Sequence, residues 1–171
     1  IRIITPDVIG VNRESISESF SKIMLTPFAA SAWRIMFDIC EPINEENQPH
    51  TLIGCFIPEA NKMRFLLRNI AYHQHPVCTH TLNALDRTQK ELDLLKTDYF
   101  ELYQYLEPKH ILALKWGILF HDIGKGLENN HSIEGEKIAT KLCKRFSLTN
   151  RERKKVSWLV RNHLMMSDFA Q

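Results

Sequence analysis

The stretch from Pro108 to Gly126 constrains this chain most. Ile111, Leu112, Leu114, Trp116, Ile118, Leu119 and Phe120 fall on every side of one helix, so the helix has to be buried all round. Its apolar run stops at His121-Asp122-Ile123-Gly124-Lys125-Gly126, where the two glycines are expected to end it. A carboxylate at the end of a buried helix is costly unless it is paired or bound to a metal. The adjacent imidazole belongs to the commonest class of transition-metal ligand. Neighbouring side chains on a helix diverge by about 100°, so His121 and Asp122 can meet one ion only where the backbone loosens. Gly124 provides that place.

The rest of the chain reads as helices that can pack around this one. Ser15 to Leu25 places Ile16, Phe20, Ile23 and Met24 on one side. Thr26-Pro27 is expected to start a new helix, with Thr as N-cap and Pro at the first helical position. That helix, Phe28 to Cys40, carries Ala29, Trp33, Ile35, Met36 and Ile39. Glu41 to His50 is polar, with two prolines, and reads as a loop. Thr51 to Pro58 reads as a short helix or turn and Asn61 to Tyr72 as a helix. Val77 to Lys96 reads as a long helix with Leu82, Leu85, Leu92 and Leu95 at helical spacing, followed by a turn or two from Tyr99 to Leu106. His131 precedes a helix on which Ile138, Leu142 and Phe146 repeat every four residues. Thr149 and Glu152 form a capping-box pattern for a last helix carrying Val156, Leu159, Val160 and Leu164. No strand pairing is expected. The fold class is all-α, a helical bundle.

A length of 171 residues suits one domain, 1–171. Residues 1–70 read as an N-terminal helical lead and 71–171 as the helices that carry the polar centre. The sequence starts on Ile1 rather than Met, so the expectation is a piece of a larger multidomain protein. No run of about 18 apolar residues exists, which argues against a membrane span. Cys40, Cys55, Cys78 and Cys143 are scattered without a CxxC pair, so a reducing cytoplasm is expected rather than a disulfide framework. The net charge of +2 selects no partner and gives no reason to expect nucleic acid. Between Lys137 and Arg161 nine cationic side chains are offset only by Glu152. That run reads first as solvated helix faces and second as an attraction for phosphate or an acidic protein surface.

Of the eight histidines, His80 falls on an upstream helix, while His131 and His163 accompany the two helices that follow His121-Asp122. Four successive helices would each offer polar groups to one centre. His50 and His110 read as surface positions.

The pattern His80 … His121-Asp122 … Lys125 resembles the HD superfamily of metal-dependent phosphohydrolases. Leu119 to Gly126, His131-Ser132-Ile133-Glu134-Gly135 and Trp158 to Ser167 resemble, within it, the HD domain of the bacterial bifunctional uridylyltransferase/uridylyl-removing enzymes. Phe56-Ile57-Pro58-Glu59 and Tyr72-His73 ahead of His80 also match, so the resemblance covers roughly residues 15 to 171. In that family the HD domain hydrolyses the phosphodiester that joins UMP to a tyrosine of the signal protein PII. A nucleotidyltransferase domain precedes it and ligand-sensing domains follow.

The resemblance implies His80, His121 and Asp122 as metal ligands, with Asp122 also orienting the attacking water and Lys125 neutralising phosphate charge. It implies His131 and His163 as ligands of a second metal or of phosphate oxygens; Arg161 is a candidate for a bidentate phosphate contact. His73 would be a supporting group. The family's last ligand, an aspartate on a later helix, is expected beyond Gln171, and Val77-Cys78-Thr79 stands where the family carries acidic residues. Histidine mixed with carboxylate and without cysteine favours Mn or Mg, with Fe and Zn as alternatives. A PII-type protein is the expected partner and no membrane is. Two other readings stay open: an HD nucleotidase or phosphatase, including the HD region of a tRNA nucleotidyltransferase, and a metal-free helical interaction module.

Overall fold

A computed structural model describes residues 12–41, 50–66 and 76–165. Within them the helices are α1 (Arg13–Leu25), α2 (Ala29–Asp38), α3 (Leu52–Phe56), α4 (Pro58–Phe65), α5 (Val77–Asp98), α6 (Phe100–Tyr103), α7 (Pro108–Phe120), α8 (His131–Arg145) and α9 (Asn150–Arg161). The all-α class holds. One detail differs from the sequence reading: β1 (Cys40–Glu41) pairs antiparallel with β2 (His50–Thr51), Cys40 opposite Thr51 and Glu41 opposite His50. The pairing closes the polar loop, and Thr51 then caps α3 by accepting from Gly54 N at 3.0 Å.

Pro108 opens α7 as its spacing predicts, and no residue from Lys109 to Phe120 is exposed. Trp116 stacks on Phe146 of the α8 end with ring centroids 5.1 Å apart and meets Trp33 of α2 edge-on at 5.9 Å. Phe20 of α1 stacks on Trp33 at 5.2 Å. The helices before residue 70 therefore fill the same core as α7 and α8; Met24, Phe37, Ile53 and Ile57 are buried in it with them. The capping box expected for α9 is present, Thr149 and Glu152 each bonding the other's backbone N–H.

Two expectations fail at α2. Thr26 does not open that helix: its backbone N–H and hydroxyl both bond Ile23 O, at 3.0 and 2.8 Å, so it closes α1 instead. The buried side of α2 is Ala29, Ala30, Trp33 and Phe37, a stripe of four-residue steps that leaves Ile35 and Ile39 on the opposite, exposed side. Leu164, expected on the inner face of the last helix, is also exposed, because it lies in the turn after α9. Asn61 to Tyr72 is helical through Phe65, Leu66 ends the helix in extended conformation, and residues 67–72 lie outside the described residues, as does His73.

Lys115 is the exception in the apolar surface of α7. It is almost fully buried and donates to Thr26 O at 2.9 Å and to Gln89 Oε1 of α5 at 2.6 Å. Burial pushes its pKa below the ordinary lysine value, while Asp93 opposes the shift. One ammonium thus ties α1, α5 and α7 together, and it fixes where α5 lies along α7.

Glycines set how closely α7, α8 and α9 approach. A Cβ on Gly124 would sit 2.2 Å from His131 O and 2.5 Å from Gly135 N, both backbone atoms that cannot swing aside. Gly126 has φ of +82°, the left-handed region that favours glycine. Gly124→Ala is therefore expected to destabilise the protein by about 3 kcal/mol, in the range of severe overpacking. Urea denaturation checks this, with Gly126→Ala as a comparison that strains the backbone without that clash.

Candidate metal centre

Helix α7 ends at Phe120, ahead of its glycines, with His121 as its C-cap. The chain then turns, Ile123 N bonding Phe120 O and Lys125 N bonding Asp122 O, each at 3.0 Å. These turns free His121 and Asp122 from helical divergence, as the placement of Gly124 suggested. The Asp122 side chain is 2% exposed and points into the space where α5, α8 and the end of α9 converge.

Its two oxygens face different groups. Oδ2 lies 3.2 Å from His121 Nε2, 3.8 Å from His80 Nε2 in the first turn of α5, and 2.7 Å from Lys125 Nζ. Oδ1 lies 3.5 Å from His163 Nε2 and 3.9 Å from His131 Nε2, the first residue of α8. His131 and His163 approach each other at 3.3 Å between their Nε2 atoms. Two sets of donor atoms result, His80–His121–Asp122 and Asp122–His131–His163, each within 4.8 Å.

Backbone contacts settle the tautomers. His121 Nδ1 sits 2.7 Å from Ile118 O and His163 Nδ1 sits 2.8 Å from Val160 O. A carbonyl only accepts, so both Nδ1 atoms carry hydrogen, and a neutral ring then points its Nε2 lone pair at the carboxylate. Two lone pairs face each other comfortably only with a cation between them, either a proton or a metal ion. Rings held by Nδ1 with Nε2 free are the usual arrangement of metal-ligating histidines. The donor set fits a divalent ion.

The electrostatics agree. Burial alone would raise the Asp122 pKa, but the neighbouring His121, His163 and Lys125 outweigh it and hold the carboxyl far below its ordinary value. Burial, and then the neighbouring His163, pushes His131 below the ordinary histidine value, which favours the neutral form that ligates.

Of the residues singled out from sequence, His80, His121, Asp122, Lys125, His131 and His163 come together. Arg161 does not join them: it is exposed, lies 3.5 Å from Glu136 Oε2, and lines a neighbouring cavity of about 350 Å³. The cavity that contains Asp122, of about 380 Å³, is walled by His80, His121 and His163 and by Ala84, Leu114, Ile118 and Leu159. Sequence reasoning missed Asn130, the N-cap of α8, whose Oδ1 accepts from Ser132 N at 3.0 Å and Ile133 N at 3.4 Å and so aims His131. An Asn directly before a histidine-led helix is the signal that marks it. It also missed Lys115, visible as a lone charge in an apolar helix.

A buried carboxylate facing histidines from separate helices, beside a lysine, forms two groups of donor atoms that could hold a metal ion. The chain belongs to the HD domain family, whose model matches residues 77–170. HD domains bind divalent metals. Among curated proteins, it is 39% identical over 123 residues to the bifunctional uridylyltransferase/uridylyl-removing enzyme of Zymomonas mobilis, covering 70% of this chain and 13% of that enzyme. The proteins of the same name from Rhodopseudomonas palustris and Cereibacter sphaeroides are 31% identical over 138 residues and 36% over 128. Those matches cover 78% and 70% of this chain, and the chain spans only 13–15% of the length of these relatives. Among the described residues no helix is long and apolar enough to cross a membrane.

The depressed Asp122 pKa has a definite sign for stability. The folded state resists protonation below the ordinary value of 3.8, so the unfolded chain takes up the proton first. The stabilisation is complete above about pH 5 and is lost progressively as pH falls below it. In metal-free protein, Asp122→Asn is expected to lower stability at pH 7 by about 1–2 kcal/mol and to flatten the decline between pH 5 and 3. Urea unfolding across that range measures both.

Proposed function

We propose that this chain is the uridylyl-removing phosphodiesterase part of a larger bifunctional uridylyltransferase, and that it releases UMP from a uridylylated PII-type signal protein. One observation carries the reading: a single buried carboxylate presents each of its oxygens to a different pair of histidines. The names of the relatives and the extent of the matches support the uridylyl-removing assignment. Residues 1–171 would act as one HD domain, in the cytoplasm, where the free thiols of Cys78 and Cys143 persist.

His80, His121 and Asp122 would hold the first divalent ion, with His131 and His163 available to phosphate oxygens or, together with the other oxygen of Asp122, to a second ion. Histidine mixed with carboxylate suits Mn or Mg best. When bound, the ion supplies Lewis acidity at the phosphoryl oxygen and an attacking water acidic enough to react near neutral pH. Asp122 would both help to hold the ion and orient the attacking water. Lys125, held 2.7 Å from Asp122, offers its ammonium to the charge that builds on the phosphoryl oxygens. The backbone bonds of His121 and His163 keep both rings oriented throughout.

With Mn present, the protein is expected to release UMP from uridylylated PII. The double variant His121→Ala/Asp122→Ala is expected to lose at least about 10³-fold in rate, since it removes the ion rather than one contact. Chromatographic detection of UMP measures this. Full activity in the double variant would sink the proposal, and a preference for 2′,3′-cyclic nucleotides or nucleoside monophosphates would redirect it to a nucleotidase.

A further inference from the structure

Two cavities of different lining adjoin beside the candidate metal centre. The one holding Asp122 has an aliphatic wall of Ala84, Leu114, Ile118 and Leu159. The other, about 350 Å³ and within the usual size of ligand pockets, carries the polar side chains of Asn130, Arg161 and Asn162. They adjoin at Leu164, which lines both, and the neighbours of His131 and His163 in the chain form the polar one.

A phosphodiester between a nucleotide and a tyrosine has two arms of matching character: a flat apolar ring and a hydrogen-bonding nucleoside. Resting on the phosphodiesterase reading above, we infer that the polar cavity is the nucleoside subsite and that Arg161 and Asn162 read the imide edge of uracil. The Asn162 side chain donates through Nδ2 to Trp158 O at 2.8 Å, which leaves Oδ1 to accept. Arg161 meets Glu136 through one nitrogen at 3.5 Å and keeps further N–H groups to donate. An acceptor beside donors complements the uracil edge, where N3–H lies between two carbonyl oxygens. Cytosine has a lone pair at N3 and an amino group at C4, so it sets acceptor against acceptor and donor against donor. The exposure of Arg161, which removes it from the carboxylate cluster, is what suits it to this role.

The test uses Mn-loaded protein and two substrates with the same leaving group, the p-nitrophenyl esters of UMP and of CMP, so that only the base differs. The expected kcat/KM ratio favours the UMP ester by about tenfold or more, because a site built to hydrogen-bond one edge rejects the other. Asn162→Leu is expected to bring the ratio close to one, and Arg161→Met to reduce it severalfold. Because the readout is a ratio within each protein, a partial loss of folded enzyme does not mimic the effect. A wild-type ratio near one, or an unchanged ratio in Asn162→Leu, overturns the subsite while leaving the hydrolase intact. Turnover of neither ester overturns the hydrolase reading and the subsite together.

Discussion

The buried charge of Asp122 is the constraint that the rest of this structure answers. An ionised carboxylate withdrawn from water is tolerable only among cations or donors that face it from several directions. No single helix can supply them. The bundle does so by bringing the starts of α5 and α8 and the ends of α7 and α9 to one point, so each oxygen of Asp122 has its own partners. The arrangement that accommodates the charge also gathers donor atoms that could hold a metal ion.

Holding four helix termini at one point needs support elsewhere. The backbone contact between Gly124 and the first turns of α8 brings His131 within reach of Oδ1, and Asn130 fixes how that turn begins. On the other side, Lys115 bonds Gln89 and ties α7 to α5, the helix that brings His80 to Oδ2. The aromatic stack around Trp116 packs the end of α7 just before the turn that carries His121 and Asp122. Positions outside the carboxylate cluster thus support the geometry of those within it.

Much of this was legible in the residues because local rules coincide with tertiary needs. Pro108, the capping box at Thr149 and the unbroken apolar surface of α7 each have a local signature, and His121-Asp122 stands out as polar residues where polarity is costly. The errors have equally local causes. Thr26 carries both start and stop chemistry, and only the acceptor it finds, Ile23 O, decides between them. Ile35 and Ile39 look like core by composition but lie opposite the stripe of Trp33 and Phe37. The division of the histidines between the two oxygens of Asp122, and the departure of Arg161 to a separate cavity, depend on where helices cross in space. No spacing along the chain encodes that.

The shared core has a consequence for what counts as a unit of inheritance here. The family signature begins at Val77, yet Trp116 and Phe146 are covered by Phe20, Met24 and Trp33 from the first two helices, and Lys115 spends a hydrogen bond on the carbonyl of Thr26. The conserved chemistry and the cooperative folding block therefore have different borders. A recombination event that carried only the signature into a new protein would deliver every described ligand with an uncovered aromatic core and an orphaned buried ammonium. The helices ahead of the signature complete its core for physical reasons that no ligand motif records.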